Sequence, residues 1–402
     1  MVRWLILVII LLFIDFYAFQ SLKTVSKNKF VLILYWLISI GILVNFILKL
    51  ASFNGSKGFT HGIMLAIGLL ILSIIPKIIT ILVLFSEDIF RVIRAIFSVT
   101  SSSTGTHFPA RREFIAKIAL GLAAIPFASI IYGMTKGKYN FKVIRHILFF
   151  DDLPPAFDGF NITHISDIHS GSFDDENEID YAINLINEQK SDVILFTGDI
   201  VNNMANEMNP WIAHFKKLKA KYGKFSVLGN HDYGEYVRWK TVEEKEQNFK
   251  AIKNIHPKIG FNLLLNDSVY LEKDNEKLAI IGVENWGTRF KKAGDLTKAS
   301  AKIKNEDFKI LLSHDPSHWD AEVKTHENNY QLTLSGHTHG MQFGIEIPGF
   351  KWSPIQYVYK HWAGIYKEFN RYINVNRGLG FLAFSGRVGI WPEITVITLK
   401  KK

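Results

Sequence analysis

Long apolar runs fill the first third of the chain, whereas shorter apolar runs separated by polar residues fill the remainder. A helix that crosses a membrane needs about 20 mostly apolar residues. Four runs are close to that length, and they predict spans near residues 4–19, 30–48, 62–85 and 114–132. The pattern therefore predicts a helical transmembrane region over residues 1–135, with a Ser- and Thr-rich loop at 98–106.

Ionisable residues interrupt two of these spans: Asp15 lies in the first, and Lys77 follows Pro76 in the third. A carboxylate that faces lipid is costly, and the Pro76-Lys77 pair predicts a kink or a buried cation. Basic loops between spans one and two and between spans three and four favour the cytoplasm. We therefore expect an integral protein of the bacterial inner membrane with an extracytoplasmic C-terminal domain, although the basic stretch 136–145 opposes that orientation.

Apolar strand-like runs alternate with amphipathic stretches from residue 150 to residue 402. Alternation of this kind is typical of an α/β domain. The later strands crowd together, as in residues 263–271 and 278–283. The domain is therefore predicted to contain two sheets with helices outside them, a four-layer α/β/β/α sandwich that follows a transmembrane region of about four spans.

Five short polar segments each follow one of the predicted strands, where sites of open α/β sheets lie. The segments are Asp167-Ile168-His169, Gly198-Asp199, Gly229-Asn230-His231-Asp232, His314-Asp315 and Gly336-His337-Thr338-His339. Two cations about 3.5–4 Å apart activate water and neutralise a phosphate, and they need carboxylate, imidazole and amide ligands. The segments therefore predict a two-metal phosphoesterase centre, with Asp199 placed to bridge the cations.

In this order the segments resemble the calcineurin-like metallophosphoesterase superfamily over roughly residues 158–399. The resemblance implies that a hydroxide bridging the metals attacks the phosphate and that His231, oriented by Asp167 or another carboxylate, protonates the leaving oxygen. It also implies two ligand sets: Asp167, His169, Asp199 and His339 for metal one, and Asp199, Asn230, His314 and His337 for metal two. These ligand types suit Mn, Fe or Zn and do not choose among them.

Within that superfamily the chain looks closest to the membrane-linked bacterial branch of YkuE/YaeI-type phosphodiesterases. The matching segments are 312–316, 336–340, 376–380, Gln342, Arg387 and Pro392-Glu393. Met341 departs from the branch because it stands where a second glycine is common, and four spans exceed the usual single segment. Arg377 and Arg387 are candidate substrate-binding residues or, equally, salt-bridged parts of the structure.

An aromatic stretch over residues 343–370 is a further departure from the branch. Its Trp352, Trp362 and Tyr357-Val358-Tyr359 have two interpretations. They are core-packing residues, or they form a membrane-facing lip that admits a lipid-linked substrate.

The amino-acid composition excludes some kinds of active site. The chain has 402 residues, a net charge of +10 and no cysteine, which excludes thiolate metal sites and a cysteine nucleophile. We expect the bilayer and a phosphorylated substrate as partners but no nucleic acid, because no Lys/Arg stripe accompanies the site. Oligomeric state is not predicted.

The leading hypothesis is a membrane-anchored phosphohydrolase that cleaves a phosphodiester or phosphomonoester, with a lipid-linked substrate among the alternatives. Two other functions stay open at this point. One is a non-catalytic membrane sensor or scaffold with a metal-binding domain, and the other is a UDP-diacylglucosamine-type pyrophosphohydrolase.

Overall fold

The computed structural model describes residues 2–53, 55–56, 58–98 and 109–402, and the chain forms two compact units. Residues 1–53 and 62–135 make the first unit, and residues 54–61 and 136–402 make the second. Most of the predicted loop at 98–106 lies outside the described residues.

Four long helices make up the first unit, and each is long and apolar enough to cross a membrane. They are α1 (Val2–Val25), α2 (Lys29–Ala51), α3 (His61–Ser98) and α4 (Pro109–Thr135). All four continue beyond the predicted apolar runs. The excess is largest in α3, which has 38 residues and continues past Glu87 and Asp88, because charged residues are compatible with helix wherever they need not face lipid.

The two ionisable residues predicted inside the spans meet each other. Lys77 forms an ion pair with Asp15, whose Oδ1 also accepts a hydrogen bond of 2.8 Å from the Ser39 hydroxyl. The Tyr35 hydroxyl donates to the backbone carbonyl of Asp15 at 2.9 Å. Opposite charges and hydroxyl groups therefore satisfy these side chains within the bundle, which is how intramembrane charges are commonly tolerated.

The second unit contains fourteen strands among the described residues. They are β1 (Lys142–Phe150), β2 (Asn161–Ile165), β3 (Val193–Phe196), β4 (Lys224–Ser226), β5 (Asn262–Leu263), β6 (Asp267–Lys273), β7 (Glu276–Gly282), β8 (Lys309–Leu312), β9 (Leu332–Ser335), β10 (Ile345–Ile347), β11 (Phe350–Trp352), β12 (Gly364–Glu368), β13 (Arg371–Val375) and β14 (Glu393–Lys401). The unit therefore begins before residue 150, where the sequence pattern placed its start.

Twelve of these strands form two six-stranded sheets. The first has the order β1-β14-β2-β3-β4-β5, with β2 to β5 parallel and β14 antiparallel to β2. The second has the order β12-β13-β9-β8-β7-β6, with a parallel centre. Strands β10 and β11 form a separate antiparallel hairpin.

Five helices accompany the two sheets: α5 (Glu176–Glu188), α6 (Ile212–Phe215), α7 (Val242–Lys258), α8 (Leu296–Ser300) and α9 (Ser317–Ala321). One core cluster packs Ile183 of α5 and Ile255 of α7 on the first sheet, and another packs Leu296 of α8 on the second. A third cluster joins residues of both sheets, such as Leu195 and Leu334. These layers confirm the predicted α/β/β/α sandwich.

Loops that leave the carboxyl ends of strands in both sheets converge. The Asp167 amide, after β2, donates to the Gly198 carbonyl after β3 at 2.9 Å. The His337 amide, after β9 of the other sheet, donates to the Asp167 carboxylate at 3.0 Å. Polar segments far apart in the sequence are thereby held at one edge of the sandwich.

Candidate metal centre

Two groups of ligand atoms form at this edge. Asp167, His169 and His339 make one group, and Asp199, His314 and His337 make the other; within each group the ligand atoms lie within 4.8 Å of one another. Asn230 completes the second group, because its Oδ1 lies 3.2 Å from His314 Nε2 and 2.8 Å from His337 Nδ1. All seven predicted ligand residues are thus brought together.

The Asp199 carboxylate lies between the two groups. Its Oδ2 is 3.1 Å from His314 Nε2 in one group and 3.6 Å from His169 Nε2 in the other. Burial raises the pKa of this carboxyl, but nearby His314 and His231 outweigh burial and bring the pKa well below its usual range. The group is therefore an anion between two clusters of imidazole nitrogens, which is the position that a bridging ligand occupies.

Two imidazole nitrogens provide a test of whether these residues fit metal ions. The Nε2 atoms of His169 and His339 are buried and have no hydrogen-bond partner among the described residues. Both approach Asp167, at 4.0 Å and 3.1 Å from its Oδ1. Buried polar atoms are nearly always satisfied, and a nitrogen and oxygen donor set suits borderline divalent cations. The residues present therefore fit two divalent cations.

Backbone carbonyls and a hydroxyl orient the imidazole rings. His314 Nδ1 donates to the Thr197 carbonyl at 2.7 Å, which leaves Nε2 free for a ligand bond. His337 Nε2 lies 2.9 Å from the Tyr359 hydroxyl, while its Nδ1 faces Asn230. Such outer contacts fix the tautomer and direction of a metal-binding histidine.

His231 lies beside both groups without joining either. Its Nδ1 donates to the Asn202 carbonyl at 2.7 Å, its amide donates to Asp199 at 2.8 Å, and its ring packs 4.4 Å from that of Tyr236. The expectation that a carboxylate orients this ring is wrong, because a backbone carbonyl does so. Burial lowers the pKa of His231.

Comparison with known proteins gives the family. The family model described as "Probable Calcineurin-like phosphoesterase, transmembrane domain" matches residues 2–138, and the one described as "Calcineurin-like phosphoesterase" matches residues 160–341. Over 296 residues the chain is 31% identical to the uncharacterized metallophosphoesterase YkuE of Bacillus subtilis (strain 168), covering 72% of this chain and 97% of YkuE. The chain belongs to the calcineurin-like metallophosphoesterase family. It is thus a metal-dependent phosphoester hydrolase with a membrane-spanning region.

Two further relatives cover much of this metallophosphoesterase. Phosphodiesterase YaeI of Escherichia coli (strain K12) is 27% identical over 293 residues, covering 72% of this chain and 98% of YaeI. The "Transmembrane protein with metallophosphoesterase domain" of Danio rerio is 24% identical over 279 residues, covering 67% of this chain and 60% of that protein. The four spans, unexpected for the branch, correspond to a transmembrane domain with its own family model.

Unusual backbone conformations occur at the ligands of this metallophosphoesterase. Five of the seven candidate ligand residues have φ between 47° and 70°: Asp167, His169, Asp199, His337 and His339. The left-handed region is sparsely populated by residues other than glycine. The backbone around these residues is also closely packed. A Cβ on Gly336 would lie 1.9 Å from Ser166 Oγ, and one on Gly229 would lie 2.2 Å from Asp199 Oδ1.

Three residues hold the candidate site in place, and sequence reasoning missed two of them, Asn202 and Tyr359. Asp232 accepts hydrogen bonds from the amides of Asp199, Ile200 and Gly229 at 2.8–2.9 Å, so it braces the loop that carries the Asp199 carboxylate. Asn202 was recognisable only by its place three residues after Asp199, and Tyr359 had no signal beyond its aromatic surroundings.

The two candidate substrate-binding arginines are buried. Arg377 forms ion pairs with Glu346, at 2.5 Å, and with Glu393. Arg387 donates to the carbonyls of Arg377 and Gly380, at 2.7 Å and 2.9 Å, and its side chain has no exposed surface. These contacts support the structural alternative for both residues, and a phosphate contact stays a prediction without support from this geometry.

A third acidic and histidine-containing group lies elsewhere, and the protein's own cation occupies it. Asp320 lies 3.0 Å from His361 Nδ1, and Glu368 lies 3.1 Å from its Nε2. The Lys324 ammonium contacts both carboxylates, at 2.8 Å and 3.2 Å. We interpret this group as a salt-bridge network rather than a metal site.

Proposed function

We propose that this metallophosphoesterase holds two divalent cations simultaneously and hydrolyses a lipid-linked phosphoester at the membrane surface. The position of the Asp199 carboxylate between two groups of imidazole nitrogens is the observation that carries the two-metal part. One cation would be held by Asp167, His169, Asp199 and His339. The other would be held by Asp199, Asn230, His314 and His337. Mn, Fe and Zn are all compatible with these ligands.

The chain's own residues have separate tasks in this mechanism. Bound cations would supply Lewis acidity that makes water nucleophilic and neutralises phosphoryl charge. The carbonyl of Asn202 fixes the tautomer and direction of His231, so that Nε2 is the nitrogen presented to the substrate. Protonated His231 would donate its Nε2 proton to the leaving oxygen, and general acid catalysis of this kind contributes about 10²–10⁴-fold.

The test uses the full chain in detergent, stripped of metal and reloaded with Mn, Fe or Zn. We expect hydrolysis of bis-(p-nitrophenyl) phosphate or p-nitrophenyl phosphate that requires two metal equivalents and is lost in Asp199→Asn. His231→Gln should lower kcat by about 100-fold or more while both equivalents stay bound. Asp320→Asn, in the third group, is the control and should retain activity.

Three results would count against this proposal. Full activity with one metal equivalent would contradict the two-metal part, and unchanged kcat in His231→Gln would contradict the role of the acid. Hydrolysis of the soluble esters without any action on a phospholipid or a diacylglucosamine pyrophosphate would contradict the lipid-linked substrate.

We also propose that the catalytic unit is extracytoplasmic. Lys23, Lys27 and Lys29, at the junction of α1 and α2, support this orientation. The opposing charges of the stretch 136–145 belong to the folded unit, where Lys138 Nζ pairs with Asp174 and Arg145 donates to Gln189. Because the chain has no cysteine, Val242→Cys provides one exposed thiol. Labelling by an impermeant maleimide only after cell lysis would contradict the proposal.

A further inference from the structure

The β10–β11 hairpin and its flanks concentrate the exposed apolar surface of the catalytic unit. Between residues 136 and 402, twelve large hydrophobic residues are exposed, and six of them lie within residues 341–358. The six are Met341, Ile345, Ile347, Phe350, Tyr357 and Val358. Contiguous exposed apolar patches commonly mark interaction sites, whereas scattered ones do not.

The hairpin separates apolar and polar side chains onto opposite faces, and both side chains of the polar face contact groups elsewhere in the unit. Ile345 pairs with Trp352 and Ile347 with Phe350, so these four side chains share the outer face. Glu346 pairs with Lys351 on the inner face. Glu346 binds the buried Arg377, and Lys351 donates to the Ala363 carbonyl.

This arrangement is the reverse of an ordinary surface hairpin, in which apolar residues face the core. Ile345, Ile347 and Phe350 are 49%, 58% and 53% exposed. The ion pair between Glu346 and Arg377 holds the hairpin in this orientation. The exposure therefore does not result from a loosely attached segment. The outer face is therefore a fixed apolar surface, of the kind that commonly marks an interaction site.

The same hairpin adjoins the candidate metal centre. Met341 follows His339 by two residues, and the Ser353 hydroxyl donates to the Gly340 carbonyl at 2.8 Å. At the same centre, the Phe290 ring packs 4.7 Å from that of His337. Phe290 lies in a loop whose Arg289, Lys291 and Lys292 are exposed.

We propose that the outer face of the β10–β11 hairpin inserts into the lipid–water interface of the membrane, with the basic loop 288–292 at anionic head groups. Apolar residues beside Lys and Arg are the composition of interfacial membrane-binding surfaces. Only six residues, 136–141, separate α4 from β1. Six extended residues span at most about 22 Å, so a short connection ties the hairpin's unit to a helix that is apolar enough to cross a membrane.

Insertion itself does not depend on the proposed function. Delivery of a lipid-borne phosphoester to the metal centre does rest on it, because that step needs a hydrolase that accepts lipid substrates.

The test uses the full chain, whose lack of cysteine permits a single labelled position. Ile347→Cys and Phe350→Cys are labelled with an environment-sensitive fluorophore and reconstituted into vesicles that contain anionic phospholipid and a phospholipid with a nitroxide quencher near the head group. Val242→Cys is the matched control, because Val242 is an apolar residue that is 67% exposed on α7.

We expect the nitroxide to quench the labels at 347 and 350 at least about twofold more strongly than the label at 242. Equal quenching at all three positions would overturn the proposal. So would self-quenching between copies without quenching by lipid, because the outer face would then bind a second copy of the chain.

The same measurement in an Asp199→Asn background separates the two proposals. Retained quenching there would support insertion whether or not the enzyme hydrolyses any ester. An Ile347→Asp/Phe350→Asp variant should lower the ratio of phospholipid to soluble-ester hydrolysis by about tenfold, and an unchanged ratio would contradict delivery through this face.

Discussion

At the scale of single residues, the left-handed backbone extends beyond the ligands. Met341, with φ of 55°, has this conformation although its side chain is 55% exposed and binds no metal. A left-handed residue with a Cβ costs about 1–2 kcal/mol. The positive φ of Met341 therefore costs stability, although Met341 is not a candidate metal ligand.

Met341→Gly should increase the free energy of unfolding of the catalytic unit by about 1 kcal/mol, because glycine adopts positive φ without that penalty. Urea unfolding followed by tryptophan fluorescence measures it. Met341→Ala is the control, since alanine removes the side chain but keeps the Cβ. An equal gain in both variants would show that the exposed side chain, not the backbone, was responsible.

The candidate ligands stood out in the sequence, but Asn202 and Tyr359, which orient the site histidines, did not. Metal chemistry restricts ligands to a few residue types, so Asp167, His169 and His337 stood out in their motifs. Asn202 and Tyr359 act through one carbonyl and one hydroxyl, groups that occur throughout any chain. Only the tertiary structure shows which carbonyl and which hydroxyl contact the site histidines.

At the scale of elements, the polar contact that fixes the β10–β11 hairpin extends to the first sheet. Arg377 follows β13 and binds Glu346 of β10 and Glu393 of β14. Glu393 is fully buried, and it also accepts a hydrogen bond from Thr395. One guanidinium thus links three strands.

Glu393→Gln should lower the free energy of unfolding by about 3–5 kcal/mol, because it leaves the buried Arg377 guanidinium with one ion-pair partner, which is itself partly exposed. Urea unfolding measures the loss. Asp267→Asn, which breaks a pair with the exposed Lys302 that solvent screens, is the control and should change little. Comparable losses in the two variants would contradict the role of burial.

Two features could not be resolved from the sequence pattern, for physical reasons. The start of the domain was placed at 150 because β1 is an edge strand with mostly exposed or half-buried residues, so its Lys142 and Arg145 obscure the strand pattern. The aromatic stretch 343–370 divides between the two interpretations: Trp362 is buried, whereas Tyr357 is 77% exposed. Composition alone does not show which of these aromatic residues are buried and which are exposed.

At the scale of the whole molecule, buried histidines away from the metal centre make stability depend on pH. His164 and His256 are fully buried, and burial lowers their pKa values to about 4 and about 3. An unfolded histidine has a pKa of about 6.5. As the pH falls below 6.5, the unfolded chain binds protons that the folded chain does not, so stability falls.

His256→Gln should therefore lower the free energy of unfolding less at low pH than at neutral pH. The difference in unfolding free energy between the wild type and the variant should shrink by roughly 3 kcal/mol between pH 6.5 and pH 4, since one pKa unit is about 1.4 kcal/mol. Urea unfolding of both proteins at each pH checks this. A difference that does not change with pH would contradict a neutral buried His256.

The pairing of Asp15 with Lys77 has a consequence for the synthesis of the protein. Lys77 follows Asp15 by 62 positions in sequence, so α1 leaves the ribosome well before α3 does. An aspartate at the centre of a lone membrane helix costs about 2.5–3.5 kcal/mol on insertion scales. The first helix is therefore expected to wait beside the insertion machinery until the third arrives, and the two would enter the lipid together.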